Sequence, residues 1–256
     1  MFPTRIRAAL VGALLLGACE KAAVQDITGA DPGARVRFFN FGVNAPAVNF
    51  YANDTKMTAI TSATGAEATT GVGYGSAGAS GYYAAIAPGS YAFTGKIAAA
   101  VDKDVAVSRV TATVADGKHY SFYMSGFYDA AGKIVEGFVV EDPLPPTIDY
   151  GSATVRFVHA ISNGAPMTLY AKNPTTGQEV AVGASIAYKV AGAFTVLPGG
   201  VYDLSTRFQG ASSAAIARTA VSLSAGRVYT ITARGDMTVT SATATNRPFL
   251  DNSANR

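Results

Sequence analysis

Cysteine occurs once in the 256 residues, tryptophan not at all and histidine twice. A single cysteine excludes an intramolecular disulfide framework. Charged residues make up only 14%, too few for a chain kept disordered by its own charge. The formal net charge of +3 overstates the basic character, because Arg5 and Arg7 both stand ahead of the lone cysteine, Cys19. No basic block remains beyond it, which argues against nucleic acid as a partner. Beyond the opening segment no apolar run approaches the 18 or so residues of a membrane helix. Metal-ligand spacing of His, Cys, Asp or Glu is absent, as is a G-x-S-x-G nucleophile elbow, so neither a metal nor any other cofactor is expected, and no catalytic residue is nominated.

What is present begins at the amino terminus. Residues 1–18 read MFPTRIRAALVGALLLGA: a basic start, a short apolar core from Ala8 to Leu16, then two small residues before Cys19. This is the layout of a cleaved secretory signal. The run Leu16-Gly17-Ala18-Cys19 resembles the lipobox of bacterial lipoproteins. That resemblance implies lipidation at Cys19, a membrane partner reached through the lipid anchor, and a location in the cell envelope. Glu20, standing where an Asp would imply inner-membrane retention, favours the outer membrane. Residues 19–33 then read as a lipidated tether.

The rest of the chain repeats itself. Val36, Arg37, Phe38 and Tyr51 recur as Val155, Arg156, Phe157 and Tyr170, each 119 positions later. Pro88-Gly89 returns as Pro198-Gly199, 110 positions on, and Gly117, Tyr120 and Gly126 return as Gly226, Tyr229 and Gly235, 109 on. Three blocks in one order predict a duplicated domain, with about nine extra residues of the first copy in the Thr/Ala-rich stretch between Tyr51 and Val72. Within each copy, apolar residues alternate with small or polar ones, as in Tyr120, Phe122 and Met124, and turn signals recur between them. The expected fold is all-β: two tandem immunoglobulin- or transthyretin-like β-sandwich domains over 34–142 and 151–248, a Pro-rich linker at 143–150, and a tail at 249–256.

The copies resemble the bacterial family known as domain of unknown function 4397. The resemblance is carried by "VRFVHA" with His159, the turn Pro88-Gly89-Ser90-Tyr91, and "GRVYTITARG" from Gly226. The first copy departs by having Asn40 where the second has His159. These are framework motifs; the family implies no established reaction and brings no catalytic residue with it.

Other local patterns favour structural readings. His159 reads as a satisfied strand histidine and His119 as the exposed end of a hairpin. Gly73 to Gly78 fits G-x-G-x-x-G but lacks the helix a dinucleotide site needs. Arg234-Gly235-Asp236 reads as a turn rather than an adhesion tripeptide. The acidic pairs Glu141-Asp142 and Asp102/Asp104 read as solvated loop charge.

One stretch points to recognition. Residues 72–86 align without gaps to 182–196, and there Gly75, Gly78 and Gly81 stand opposite Ser185, Tyr188 and Ala191, while Tyr82 and Tyr83 stand opposite Gly192 and Ala193. Tyrosine among glycine and serine is the chemistry of adaptable recognition loops, so Tyr74, Tyr82 and Tyr83 are the candidate ligand-binding residues. The expected function is a non-enzymatic binding, adhesion or structural module whose partner is an envelope glycan or protein. The alternatives are a carbohydrate-binding lipoprotein of a glycan-uptake system, expected to expose aromatics in a row, and a hydrolase with a dispersed site, expected to converge carboxylates or histidine in one cleft.

Overall fold

The structure is a computed structural model that describes residues 33–58 and 70–256. Cys19, the signal segment and most of the Thr/Ala-rich insertion lie outside the described residues. The first half contributes β1 (Ala34–Val43), β2 (Val48–Ala52), β3 (Thr55–Lys56), β4 (Ser76–Ala77), β5 (Ala84–Ile86), β6 (Gly89–Ile97), β7 (Ala106–Val114), β8 (His119–Phe127) and β9 (Gly137–Glu141). The second contributes β10 (Ser152–His159), β11 (Met167–Lys172), β12 (Glu179–Ile186), β13 (Thr195–Pro198), β14 (Gly200–Phe208), β15 (Ile216–Leu223), β16 (Val228–Arg234) and β17 (Phe249–Ala254). Among the described residues there is no α-helix.

The strands make four sheets, ordered β4-β1-β8-β9 (with β5 also on β1), β3-β2-β6-β7, β13-β10-β16-β17 and β12-β11-β14-β15. In each half the first strand pairs parallel with a later one, β1 with β8 and β10 with β16: Val36 faces Tyr120, and Val155 faces Tyr229. Period two then sorts the side chains. Val36, Phe38, Phe122 and Met124 join Phe50 and Phe93 of the opposing sheet in one core. Val155, Phe157 and Ile231 join Leu169, Leu204 and Val221 in another. Each half is thus two sheets sharing an apolar interior, consistent with a β-sandwich. Recurrent tyrosines close its turns: Tyr91 Oη donates to Ala87 O (2.9 Å) and Tyr202 Oη to Pro198 O (2.8 Å), while Tyr120 and Tyr229 each accept a backbone N–H at 3.1 Å.

Three expectations need correction. The chain end is no tail: β17 pairs antiparallel with β16, placing Leu250 in the second core. His119 is half-buried at the start of β8, with Tyr83 edge-on at 5.0 Å. The third correction is the largest. The other faces of β1 and β8 are also buried, and a third cluster joins Phe39, Phe41, Tyr123 and Phe138 of the first half to Val158 and Ala160 of the second. The two halves therefore stack sheet on sheet within one contiguous unit, four layers deep. The run Arg37-Phe38-Phe39-Asn40-Phe41 carries phenylalanine on both faces because both faces are covered, as in any doubly packed sheet.

Candidate functional site

The junction between the halves gathers most of the chemically capable side chains. Arg37 and Arg156 project into it from β1 and β10, and both are fully buried. Between them lies Asp142, 1% exposed rather than solvated as expected. A buried carboxylate is tolerated only where its charge and lone pairs are matched. Arg156 Nη2 donates to Oδ1, Ser121 Oγ and Tyr83 Oη each donate to Oδ2 at 2.6 Å, and Arg37 Nε lies 3.8 Å away.

The bonds around this ion pair correspond between halves. Arg37 Nε donates to Ser121 Oγ (2.9 Å) as Arg156 Nε does to Thr230 Oγ1 (3.0 Å). Each arginine then reaches across to the last strand of the other half: Arg37 Nη1 to Ala254 O (3.2 Å), Arg156 Nη1 to Glu141 O (2.9 Å). Ser121 donates to Asp142, and Thr230 to Asn255 Oδ1 (2.8 Å). Asn255 Nδ2 in turn donates to Tyr83 Oη (3.0 Å), closing the circuit. Asp142 and Asn255 occupy corresponding places, so one half supplies a carboxylate where the other supplies an amide.

His159 and Asn40 correspond in the same way. His159 Nδ1 accepts from Ile161 N–H (3.2 Å), which fixes the proton on Nε2, and Nε2 then donates to Ala165 O (3.2 Å). Asn40 Oδ1 accepts from Gly42 N–H (3.3 Å), and its Nδ2 donates to Pro46 O (3.1 Å). Burial holds His159 below the ordinary imidazole range. The strand-histidine reading of the sequence has its mechanism here.

The three candidate tyrosines do not form one site. Tyr74 lies under the Arg234 guanidinium, 5.1 Å from the ring centroid, and burial raises its phenol. Tyr83 lies under Arg37 at 4.9 Å; burial, then the Asp142 charge, raises its phenol strongly. Tyr82 alone is exposed, at 76%.

The pairing register explains the split and corrects the gapless alignment. Ala77 stands opposite Phe39, and Ala191 opposite Val158. Tyr74-Gly75-Ser76-Ala77 therefore corresponds to Tyr188-Lys189-Val190-Ala191. Tyr188 is itself a junction residue, accepting from Ser125 Oγ (3.3 Å) and donating to Glu136 (2.9 Å). Farther on, Ala84 faces Val36 and Thr195 faces Val155, so Tyr83 corresponds to Phe194, which lies under Arg156 at 5.0 Å. Two of the three tyrosines thus serve the framework. The signal for Tyr74, "Y-x-x-A" in both copies, was in the sequence but hidden by forcing equal loop lengths.

Arg234-Gly235-Asp236 is likewise occupied. Arg234 pairs with Asp251, and Asp236 accepts from Asn163 Nδ2 (2.8 Å) and Thr238 N–H (2.9 Å). A Cβ at Gly235, whose φ is +115°, would meet Arg247 O at 2.2 Å, so the turn requires glycine. Among the described residues no group of three His, Cys, Asp or Glu is placed to hold a metal.

The comparison with known families agrees with the framework motifs. A model of the family described as domain of unknown function (DUF4397) matches residues 34–170. The chain belongs to the DUF4397 family. The part matched to DUF4397 takes in all nine strands of the first half, the connecting stretch, β10 and most of β11. No curated protein matches the chain.

Proposed function

We propose that this protein is a non-enzymatic binding module of the cell envelope, built from two tandem immunoglobulin-like sandwiches of the DUF4397 kind and held on the outer membrane by lipid at Cys19. The observation that carries the reading is the closed circuit at the junction. Arg37, Arg156, Asp142 and Tyr83, the groups best suited to chemistry, each make a hydrogen bond that joins the halves, and Arg37 Nη2 is their one buried polar atom without a partner. A platform locked in this way presents its loops in fixed relative positions, which lowers the cost of ordering on binding. Two or three acyl chains on Cys19 would make the attachment stable, since each buried methylene contributes about 0.8 kcal/mol and one chain alone is marginal.

The second reading, carbohydrate binding within a glycan-uptake system, has one outward-facing ring in its favour, Tyr82, in place of the expected row of aromatics. A dispersed hydrolase site is disfavoured: Asp142 is sealed from water, and both its oxygens are taken. The test is fractionation of Cys19→Ser beside the wild type. Loss of acyl labelling with release from membranes, or retention as uncleaved precursor, is expected. A mature-length Cys19→Ser protein still sedimenting with membranes would refute the anchor.

A further inference from the structure

The corrected register leaves one feature of the first half without a counterpart. Six residues, Gly78 to Tyr83, connect Ala77 to Ala84, where three, Gly192 to Phe194, connect Ala191 to Thr195. The last of each set lies on an arginine, so the surplus is the turn before it. Ala79, Ser80 and Gly81 are successively left-handed, with φ of 47°, 56° and 82°. Two non-glycine residues held there are strained. The result of that turn is Tyr82 standing clear of the surface. Between this loop and β17 a cleft of about 450 Å³ opens, inside the range of small-ligand sites.

The cleft wall is rich in polar groups. Arg227 is exposed, and Ser80 stands exposed on the loop side. From β17 come Asp251, Asn252 and Ser253. Asp251 and Ser253 share one face of β17, whereas Asn252 lies on the face of Leu250, toward the second core. One exposed aromatic ring beside guanidinium, carboxylate and hydroxyl groups matches a saccharide ring, which has an apolar C–H face and a rim of hydroxyls that both donate and accept. An extended peptide added to the edge of β17 fits less well. The Leu250 and Ala254 carbonyls that such a strand would need already accept from Arg218 (2.7 Å) and Arg37 (3.2 Å).

We propose that this cleft binds a single saccharide ring, with Tyr82 covering its C–H face and Arg227, Ser80 and Ser253 bonding its hydroxyls. The proposal rests on the binding-module reading and narrows it to one ligand class. The ring is either a free sugar or the end of an envelope polymer; both present the same chemistry.

The test is amide chemical-shift mapping on the full chain with glucose, galactose and N-acetylglucosamine, each at millimolar concentration, together with sedimentation of the protein with purified peptidoglycan and lipopolysaccharide. Shifts confined to residues 80–82, 227 and 251–254 are expected with at least one sugar. Tyr82→Ala and Arg227→Ala should each weaken that binding by about tenfold, the loss of one anchoring contact, with melting temperature unchanged. Response to free sugar alone identifies a solute; co-sedimentation that is lost in Tyr82→Ala identifies an envelope glycan. No shift with any sugar and no co-sedimentation would overturn the cleft, as would shifts elsewhere that survive Tyr82→Ala. A photo-crosslinker at Ser80 separates the two levels. A protein captured there in cells, with no response to sugar or polymer, overturns the saccharide proposal and leaves the binding-module reading standing.

Discussion

Asp142→Ala is the sharpest perturbation of the junction. The substitution removes the acceptor of the Arg156, Ser121 and Tyr83 bonds and leaves two arginines, 0% and 1% exposed, without their carboxylate. Breaking a buried ion pair from one side costs about 3–5 kcal/mol, because the stranded charge remains desolvated. For a chain of this size each kcal/mol lowers the melting temperature by about 2–4 °C, so a drop of roughly 6–20 °C is expected. Asp142→Asn should lose somewhat less than Asp142→Ala, about 2–4 kcal/mol, since the amide oxygen still accepts one set of bonds while the counter-charge and the second acceptor are lost. Urea and thermal unfolding, followed by circular dichroism and tyrosine fluorescence, measure both. Asp142→Ala should also make unfolding biphasic, as the halves lose their common junction. Replacing all three charges together, as Asp142→Leu with Arg156→Met and Arg37→Met, should recover much of the loss, because no charge is then left stranded. A melting temperature for Asp142→Ala within about 3 °C of the wild type, roughly 1 kcal/mol, would refute the claim that this carboxylate holds the halves together.

Two further outcomes follow from the same geometry. His159 is buried with Nδ1 accepting a backbone N–H, so it folds neutral and its pKa lies below the ordinary 6.5. The unfolded chain then binds the extra proton first; stability is full above about pH 6.5 and falls as pH drops below it toward the folded pKa. His159→Asn, copying Asn40, should keep both hydrogen bonds and flatten the part of the pH profile due to this residue, with His119→Asn as the control for the other lowered histidine; an unchanged slope in His159→Asn would refute the assignment. Limited proteolysis should nick the exposed stretch around Tyr150, 81% exposed, and the two pieces should still co-elute on gel filtration at neutral pH because the junction holds them. Separation of the pieces on nicking would show that the chain connection, not the junction, keeps the halves together.

What could be read from the residues alone was the local grammar. Alternation in Tyr120-Ser121-Phe122-Tyr123-Met124 specifies a strand because period two is a property of the extended backbone itself. The Pro-Gly turns and the tyrosines that close them are short-range, and so is their signature. The recurrence of Val-Arg-Phe in both halves was visible for the same reason. What was not visible was every property set by contact across the chain. Asp142 reads as a loop carboxylate until Arg156, Ser121 and Tyr83 are folded around it, since whether a charge is solvated depends on neighbours that no local window contains. Residues 249–254 lack a repeated motif and read as a tail, yet the unpaired edge of β16 recruits them as a strand. The correspondence of Tyr74 with Tyr188 emerges only from pairing register, because loops of unequal length defeat an alignment that assumes equal ones. Tyr82 is the converse case: the sequence marked it, but only the fold separates it from its two neighbours, by spending Tyr74 and Tyr83 on arginines at the junction and leaving Tyr82 in water.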